Sequence, residues 1–333
     1  MIQPMYNLGG VDSSVEFFNG EKWKNVSDYA NGDLVLGCDN FGNAKMYLPE
    51  EYKKIKCDHM YKYISKHGLN IIASPDQIMV YLNHRNNISF KSIENIAIMH
   101  NKSKHGFSGK VMTSFKYSGE GLNLKDNEIM LMCAIIADGT FPSKGTNRCV
   151  LKFKKDRKKE ELEKILNTFD FEYAKYDCAN YYKSYVVYAP IKEKVFGKHW
   201  YKCSANQLKT VCDNIMLWDG HIKYTPSGTN RNEFSTKIKE SADFIQFAYS
   251  ATGTTATLST SVRNRAYKNG EANPIEYRVL VGNKSNMGFE SQNKASFELV
   301  CSTDGYKYNF IIPNDNIIYR YDDKIFVTRS YKE

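Results

Sequence analysis

Ile129-Met-Leu-Met-Cys-Ala-Ile-Ile-Ala-Asp138-Gly139 is an apolar run broken off by an acid and a glycine, and a shorter echo, Asn214-Ile-Met-Leu-Trp-Asp219-Gly220, returns 81 residues later (138 to 219). Each reads as the tail of an apolar helix that a glycine stops, so each delivers one carboxylate to a helix end. Two such helices packed together set two carboxylates side by side. That is the outline of a divalent-metal site, and metal-assisted cleavage of a phosphodiester is the chemistry it suits. A single Asp-Gly is better read as a turn or helix stop; recurrence in the same setting reverses that preference.

The surroundings of the two runs repeat as well. Leu124 to Met132 is helical, with Asp126 in the first turn where it suits the helix dipole. Arg148-Cys-Val-Leu-Lys-Phe-Lys-Lys alternates as a strand, with Arg148, Val150, Lys152 and Lys154 on one face and Cys149, Leu151 and Phe153 on the other. Leu162, Ile165, Leu166 and Phe169 then mark a helix, and Tyr182 to Tyr188 a strand. The second half has a helix from about Ser204 to Asp219-Gly220, strands at Ile222-Lys-Tyr and Glu233-Phe-Ser-Thr, a helix Ala242 to Tyr249, and strands Thr255 to Val262 and Ile275 to Val281. This recurrence predicts an internal pseudo-dimer able to read two adjacent DNA half-sites. Its phosphate-facing candidates are Arg148, Lys152, Lys154 and Lys155 in the first half and Lys223, Arg231, Arg263, Arg265 and Arg278 in the second. For the run from Lys152 to Lys159, a solvated face at a helix start is an equally good reading.

Both ends of the chain have strand character. Short strands separated by Asn-Gly, Gly-Asp and Ser-Pro-Asp turns fill residues 10 to 90, followed by a helix and a basic connector through Lys102, Lys104, Lys110 and Lys116. Phe297 to Glu333 is too short to fold alone and is expected to pair with the N-terminal strands, leaving the middle as an insertion. The expected domains are 1–118 and 291–333 around a central 119–290, itself divided at about 200. A chain of 333 residues with 42% hydrophobic residues has material for two or three cores. Its eight cysteines form no C-x-x-C pair, which argues against zinc and disulfide frameworks and for a reducing compartment. The start lacks the features of a signal peptide, and the nine-residue run from Ile129 to Ala137 is far short of the roughly 20 residues of a membrane span, so no membrane and a cytoplasmic location are expected. A net charge of +9 favours a polyanionic partner.

At this level the residues resemble a known family. The Asp138-Gly139 and Asp219-Gly220 helices resemble the paired signature helices of LAGLIDADG homing endonucleases, and the flanking β segments resemble the split Hint domain of an intein, closest in look to phage terminase large-subunit inteins. Val11 to Gly20 and Ile72-Ala-Ser-Pro-Asp-Gln77 are similar to N-terminal splicing blocks. Phe115 to Leu124 running into Ala137-Asp138-Gly139-Thr-Phe141, then Trp218-Asp219-Gly220, Phe234-Ser-Thr and Ala242 to Gln246 are similar to the endonuclease part. Ile318 to Thr328 is similar to the C-terminal block. The resemblance implies an α+β fold, with a pseudo-symmetric αββαββα endonuclease core inserted in an all-β Hint-like domain. It also implies Mg²⁺ or Mn²⁺ at Asp138 and Asp219 beside Gly139 and Gly220, a catalytic lysine near each carboxylate (Lys198 and Lys284 being the candidates), and a long double-stranded DNA target. A monomer with internal two-fold pseudosymmetry, acting in an infected bacterial host, completes the expectation.

The departures matter equally. Splicing needs a nucleophile where this chain has Gly10, and an imidazole where it has Gln77, which cannot shuttle a proton near neutral pH. The sequence ends Val327-Thr-Arg-Ser-Tyr-Lys-Glu, without the expected His-Asn pair. The reading is a free-standing, non-splicing DNA endonuclease that breaks or nicks its target. Trp218, bulkier than its counterpart Ala137, is expected to hinder close helix approach and leave the two active sites unequal. A catalytically inactive, maturase-like DNA- or RNA-binding protein and an intein still able to splice are the alternatives.

Overall fold

The computed structural model describes residues 8–66, 68–142, 145–180, 182–224, 230–262, 275–314 and 316–330; the side chains of 222–231 lie outside that description. The fold is mixed α+β and divides into two units, Met1–Tyr117 with Ser250–Thr257 and Asn283–Glu333, and Ser118–Tyr249 with Leu258–Gly282.

The first unit is built of antiparallel strands in which the C-terminal segment pairs with the N-terminal one. Asn316–Tyr321 lies against Glu16–Phe18 and Val35–Cys38, Tyr306–Ile311 against Glu51–Lys56, Phe297–Cys301 against His59–Ile64, and Lys324–Arg329 against Ile78–Leu82. Asp322 and Asp323 both take left-handed backbone angles (φ 46° and 59°) between the last two strands, the two-residue turn that matches strand twist. Helix α1 (Ile93–Lys102) packs through buried Ile93, Ile96, Ala97 and His100. The Phe107 N–H donates to His100 Nδ1 at 3.0 Å, so Nδ1 carries no proton and Nε2–H donates to the Ala295 carbonyl at 2.9 Å. Lys110 falls in the strand Lys110–Met112, not in a connector.

Arg320, only 1% exposed, clasps Glu16 through two hydrogen bonds of 2.6 and 2.9 Å and lies 4.7 Å over the Trp23 ring. Glu16→Ala would leave a guanidinium buried without its counter-ion, and is expected to lower stability by about 3 kcal/mol, read as a fall in the urea midpoint.

The stretch from Asp126 to Val281, most of it in the second unit, repeats one topology. Its first half runs α2 (Asp126–Asp138), strands Gly139–Thr140 and Arg148–Phe153, α3 (Asp156–Thr168), then strands Tyr173–Asp177 and Lys183–Tyr188. The second half runs α4 (Ala205–Trp218), strands Gly220–Tyr224 and Asn230–Thr236, α5 (Lys239–Ala251), then strands Ala256–Val262 and Ile275–Val281. In both, the four strands lie in the order first, second, fourth, third. Each half is therefore αββαββ. The closing helix of the expected αββαββα pattern is not present among the described residues: after Tyr188 the chain passes through Pro190, which lacks an N–H to donate, and only a single 3₁₀ turn, Lys198–Lys202, precedes α4. The strand Tyr173–Asp177 is mostly exposed and has no buried alternate face to announce it in the sequence.

Candidate active site

Helices α2 and α4 pack along one another, and their beginnings are held in register by one side chain. Ser204 caps α4 by accepting from the Gln207 N–H (3.3 Å), while Gln207 Oε1 accepts from the Ser204 N–H (3.1 Å). The same amide accepts from the Leu122 N–H (2.8 Å) and donates to the carbonyls of Leu122 and Leu124 (2.9 Å each), on the segment that leads into α2. Gln207 thus fills both donor and both acceptor sites of its amide. Helices of 13 and 14 residues starting level then end level.

Asp138 is the last residue of α2 and Asp219 the C-cap of α4. The following glycines open strands that turn straight back past the helix. A Cβ on Gly139 would stand 2.7 Å from the Ile135 carbonyl oxygen, and one on Gly220 would stand 2.5 Å from that of Met216, four residues back in each case. Gly139 has φ −72°, and Gly220 is likewise not left-handed. The expected glycine stop is thus a matter of close approach, not of left-handed capping.

Cations from neighbouring elements close the two helix ends. Lys194 donates to the Ile135 and Ile136 carbonyls (2.8 Å each), the open end of α2, and Arg157 donates to the Leu217 carbonyl at the end of α4. Lys158, the third residue of α3, bonds Asp138 Oδ2 and lies 3.8 Å from Asp219 Oδ1, with its ammonium 5.9 Å from the centre of the Phe153 ring. One ammonium therefore serves both carboxylates. Burial, and then the charge of Asp138, push the Asp219 carboxyl above its ordinary value, against the pull of Lys158 and Lys194. Burial lowers the Lys194 ammonium below the ordinary lysine range, against the opposing pull of Asp219 and Asp138. A cavity of about 210 Å³ opens beside Asp219 and Lys194, with Thr236, Lys237 and Ser241 among its lining.

The donor set suits a hard cation. Carboxylate oxygens are the ligands that Mg²⁺ and Mn²⁺ take, and here the two of them already gather around a positive charge. No group of three or more His, Cys, Asp or Glu side chains able to hold a metal occurs among the described residues. Two protein carboxylates, with backbone, water or phosphate oxygens completing the shell, is a common arrangement for Mg²⁺.

The other sequence candidates are placed as follows. Lys198 is an exposed residue opening the 3₁₀ turn, and Lys284 belongs to the first unit, where its carbonyl accepts from the Thr255 N–H at 2.8 Å. The lysines that act on Asp219 are Lys158 and Lys194. Arg148 and Lys152 are exposed on the outer face of their strand, with Cys149, Leu151 and Phe153 buried on the other; Lys154 and Lys155 follow, also exposed. Arg278 is engaged elsewhere: it donates to Glu276 Oε2 at 2.9 and 2.7 Å and lies 3.9 Å from Glu233, both glutamates being buried, so its charge is largely spent within the protein. Lys223 and Arg231 face each other in strand register, though their side chains lie outside the described set, as do residues Arg263 and Arg265 altogether. The Trp218 ring stacks on Phe153 (centroids 5.8 Å apart), a strand residue of the first half. In the first unit, the Gly10 N–H donates to Ser74 Oγ (3.0 Å), and a Cβ at Gly10 would stand 2.9 Å from the Tyr308 carbonyl oxygen. Gln77 is buried, and its amide donates to the Ile78 and Arg329 carbonyls. No helix is long and apolar enough to cross a membrane among the described residues.

No family model matches the chain. Over 238 residues it is 29% identical to the ribonucleoside-diphosphate reductase subunit beta of Aquifex aeolicus (strain VF5), a match covering 63% of this chain and 32% of that protein. The chain thus spans about a third of the length of this curated relative. Among solved structures it is similar to the N-terminal LAGLIDADG domain of WhiA (12% identity, 49% of this chain and 78% of that one, TM-score 0.32). It is also similar to I-DmoI in complex with DNA and Mn (10% identity, 47% of this chain and 89% of that one, TM-score 0.30). Both are matched in part and at low identity.

Proposed function

We propose that the chain is a site-specific endonuclease that hydrolyses phosphodiester bonds of a long double-stranded DNA target, with Mg²⁺ or Mn²⁺ held by Asp138 and Asp219. The observation that carries this reading is the meeting of those two carboxylates at level helix ends, on either side of one cation. A divalent ion bound there supplies stabilisation of charge on the phosphoryl oxygens and an acidified water. The protein's own part is positional. Arg148 and Lys152 are offered to the phosphate backbone, and the half-buried ammonium of Lys194 stands ready to stabilise, or protonate, a departing oxygen. We assign that role to Lys194 in place of Lys198. The first unit is read as Hint-like and unable to splice, since Gly10 offers no nucleophile and Gln77 no imidazole. The organisation into 1–118, 119–290 and 291–333, monomeric action and a homing role belong to the same proposal.

The test is incubation with DNA that carries the uninterrupted target, followed by mapping of the ends. Ends should form with Mg²⁺ and vanish with a chelator. A second reading has an observation of its own: Lys158 already satisfies the carboxylate pair, as it would in an inactive DNA- or RNA-binding protein. That reading predicts tight, metal-independent binding and no ends. Lys194→Met is expected to slow cleavage about a hundredfold, the scale of a single acid–base or charge-stabilising group. Because burial depresses the Lys194 ammonium, the alkaline limb of the wild-type rate profile should begin below the ordinary lysine range and be lost in this variant.

A further inference from the structure

We infer that Lys158 is a resident counter-ion that competes with divalent metal for the carboxylate pair, so that its ammonium must swing off Asp138 before a metal ion can sit there. The inference rests on the metal-site reading above and adds a regulator to it. Two facts of position support it. The ammonium is bonded to one carboxylate and within 3.8 Å of the other, which is the place a bridging cation takes, and an ammonium and a metal ion on the same oxygen repel strongly at such range. The side chain is also held from behind but retains a way out: α3 is docked by Arg157 on the Leu217 carbonyl, and the Lys158 side chain keeps 11% of its surface in solvent.

The device belongs to one half only. The third residue of α5, which answers to Lys158 in α3, is Ser241, and its hydroxyl accepts from the Phe196 N–H at 3.1 Å. No ammonium is supplied from that position. Since Lys158 bonds Asp138 and only approaches Asp219, metal should enter on the Asp219 side more easily. Unequal cutting of the two strands at limiting metal follows.

Metal binding can be read without turnover. In the full chain, Tb³⁺ luminescence excited through tryptophan reports an ion at the pair, since Trp218 adjoins Asp219. Lys158→Met should tighten Tb³⁺ binding by roughly tenfold or more, the scale expected for removing a close like charge. Lys158→Arg, which keeps the charge, should not tighten it. Asp138→Asn should weaken it in each background. If Lys158→Met binds no tighter than wild type while Asp138→Asn still weakens binding, the competitor is refuted and the metal site stands. If neither Asp138→Asn nor Asp219→Asn alters binding, the metal-site reading fails and takes the inference with it. A second measurement needs no substitution at all. Adding Mn²⁺ to the wild-type protein should raise acylation of Lys158, followed by mass spectrometry, several-fold relative to Lys154; an unchanged ratio refutes displacement.

Discussion

Asp219→Asn is expected to cut the cleavage rate at least about a thousandfold and, at the same time, to make the protein more stable. On the proposed reading, the first effect follows from losing one of the two carboxylates assigned to the metal, a loss at the upper end of what removing one charge-stabilising group costs. The second follows from the environment of the group. Burial and Asp138 raise the Asp219 carboxyl above its ordinary value of 3.8, so over the window between that value and the raised one the folded state holds a proton that the unfolded state lacks. Stability therefore falls as pH climbs through that window, and above it the ionised Asp219 is a standing cost. Asparagine removes the charge and keeps the shape. The melting temperature near neutral pH should rise by about 2–4 °C for each kcal/mol relieved, and the acid-side slope of stability with pH should flatten. Asp138→Asn should abolish cleavage too, but with the opposite effect on stability, because it strips Lys158 of its bonded partner. Plasmid cleavage and thermal melts of both variants make the check. An Asp219→Asn protein that still cuts both strands at the wild-type rate, or that melts lower, contradicts the site as described.

Gln207→Ala is expected to lose about 3 kcal/mol of stability and most of the activity, although the residue lies at the opposite end of α4 from the carboxylates. Its amide serves the Leu122 N–H and the carbonyls of Leu122 and Leu124, and truncation leaves all three backbone groups without that partner. The amide also sets the level at which α2 and α4 start, so its loss lets one helix slide along the other and pulls Asp138 and Asp219 out of step. Gln207→Glu keeps the length but puts an acceptor-only group against two carbonyls, and should be nearly as harmful. A urea titration gives the stability, and Tb³⁺ luminescence reports whether the carboxylates still meet. A variant of normal stability that binds Tb³⁺ as wild type does would show that the register is held elsewhere.

Several of these features were legible in the sequence because they repeat or alternate. The two Asp-Gly ends could be found because the second copy echoed the first, and the face carrying Arg148 and Lys152 because every other residue is apolar. The return of the C-terminal strands to the N-terminal ones could be foreseen from their length, since 37 residues of strand cannot make a core of their own. The lysines of the site were not legible. Lys158 sits in a basic run, and a run does not say which of its members folds back onto a helix end. Lys194 lies in an aperiodic segment that only the finished chain path brings to α2. Two further signals are present in the sequence: Ser204-x-x-Gln207 is a capping box, and Glu276-x-Arg278 is an ion pair on one strand face.

The contact between Arg157 and the Leu217 carbonyl, with the stacking of Trp218 on Phe153, has a consequence for dissection of the protein. The first half thus terminates and shelters a helix of the second, while Gln207 of the second holds the segment that leads into α2, so the halves have become obligate complements and no longer interchangeable copies. Expressed separately, fragments cut between residues 188 and 198 should stay unstructured alone and regain order only on mixing, whereas a tandem of two first halves should not assemble.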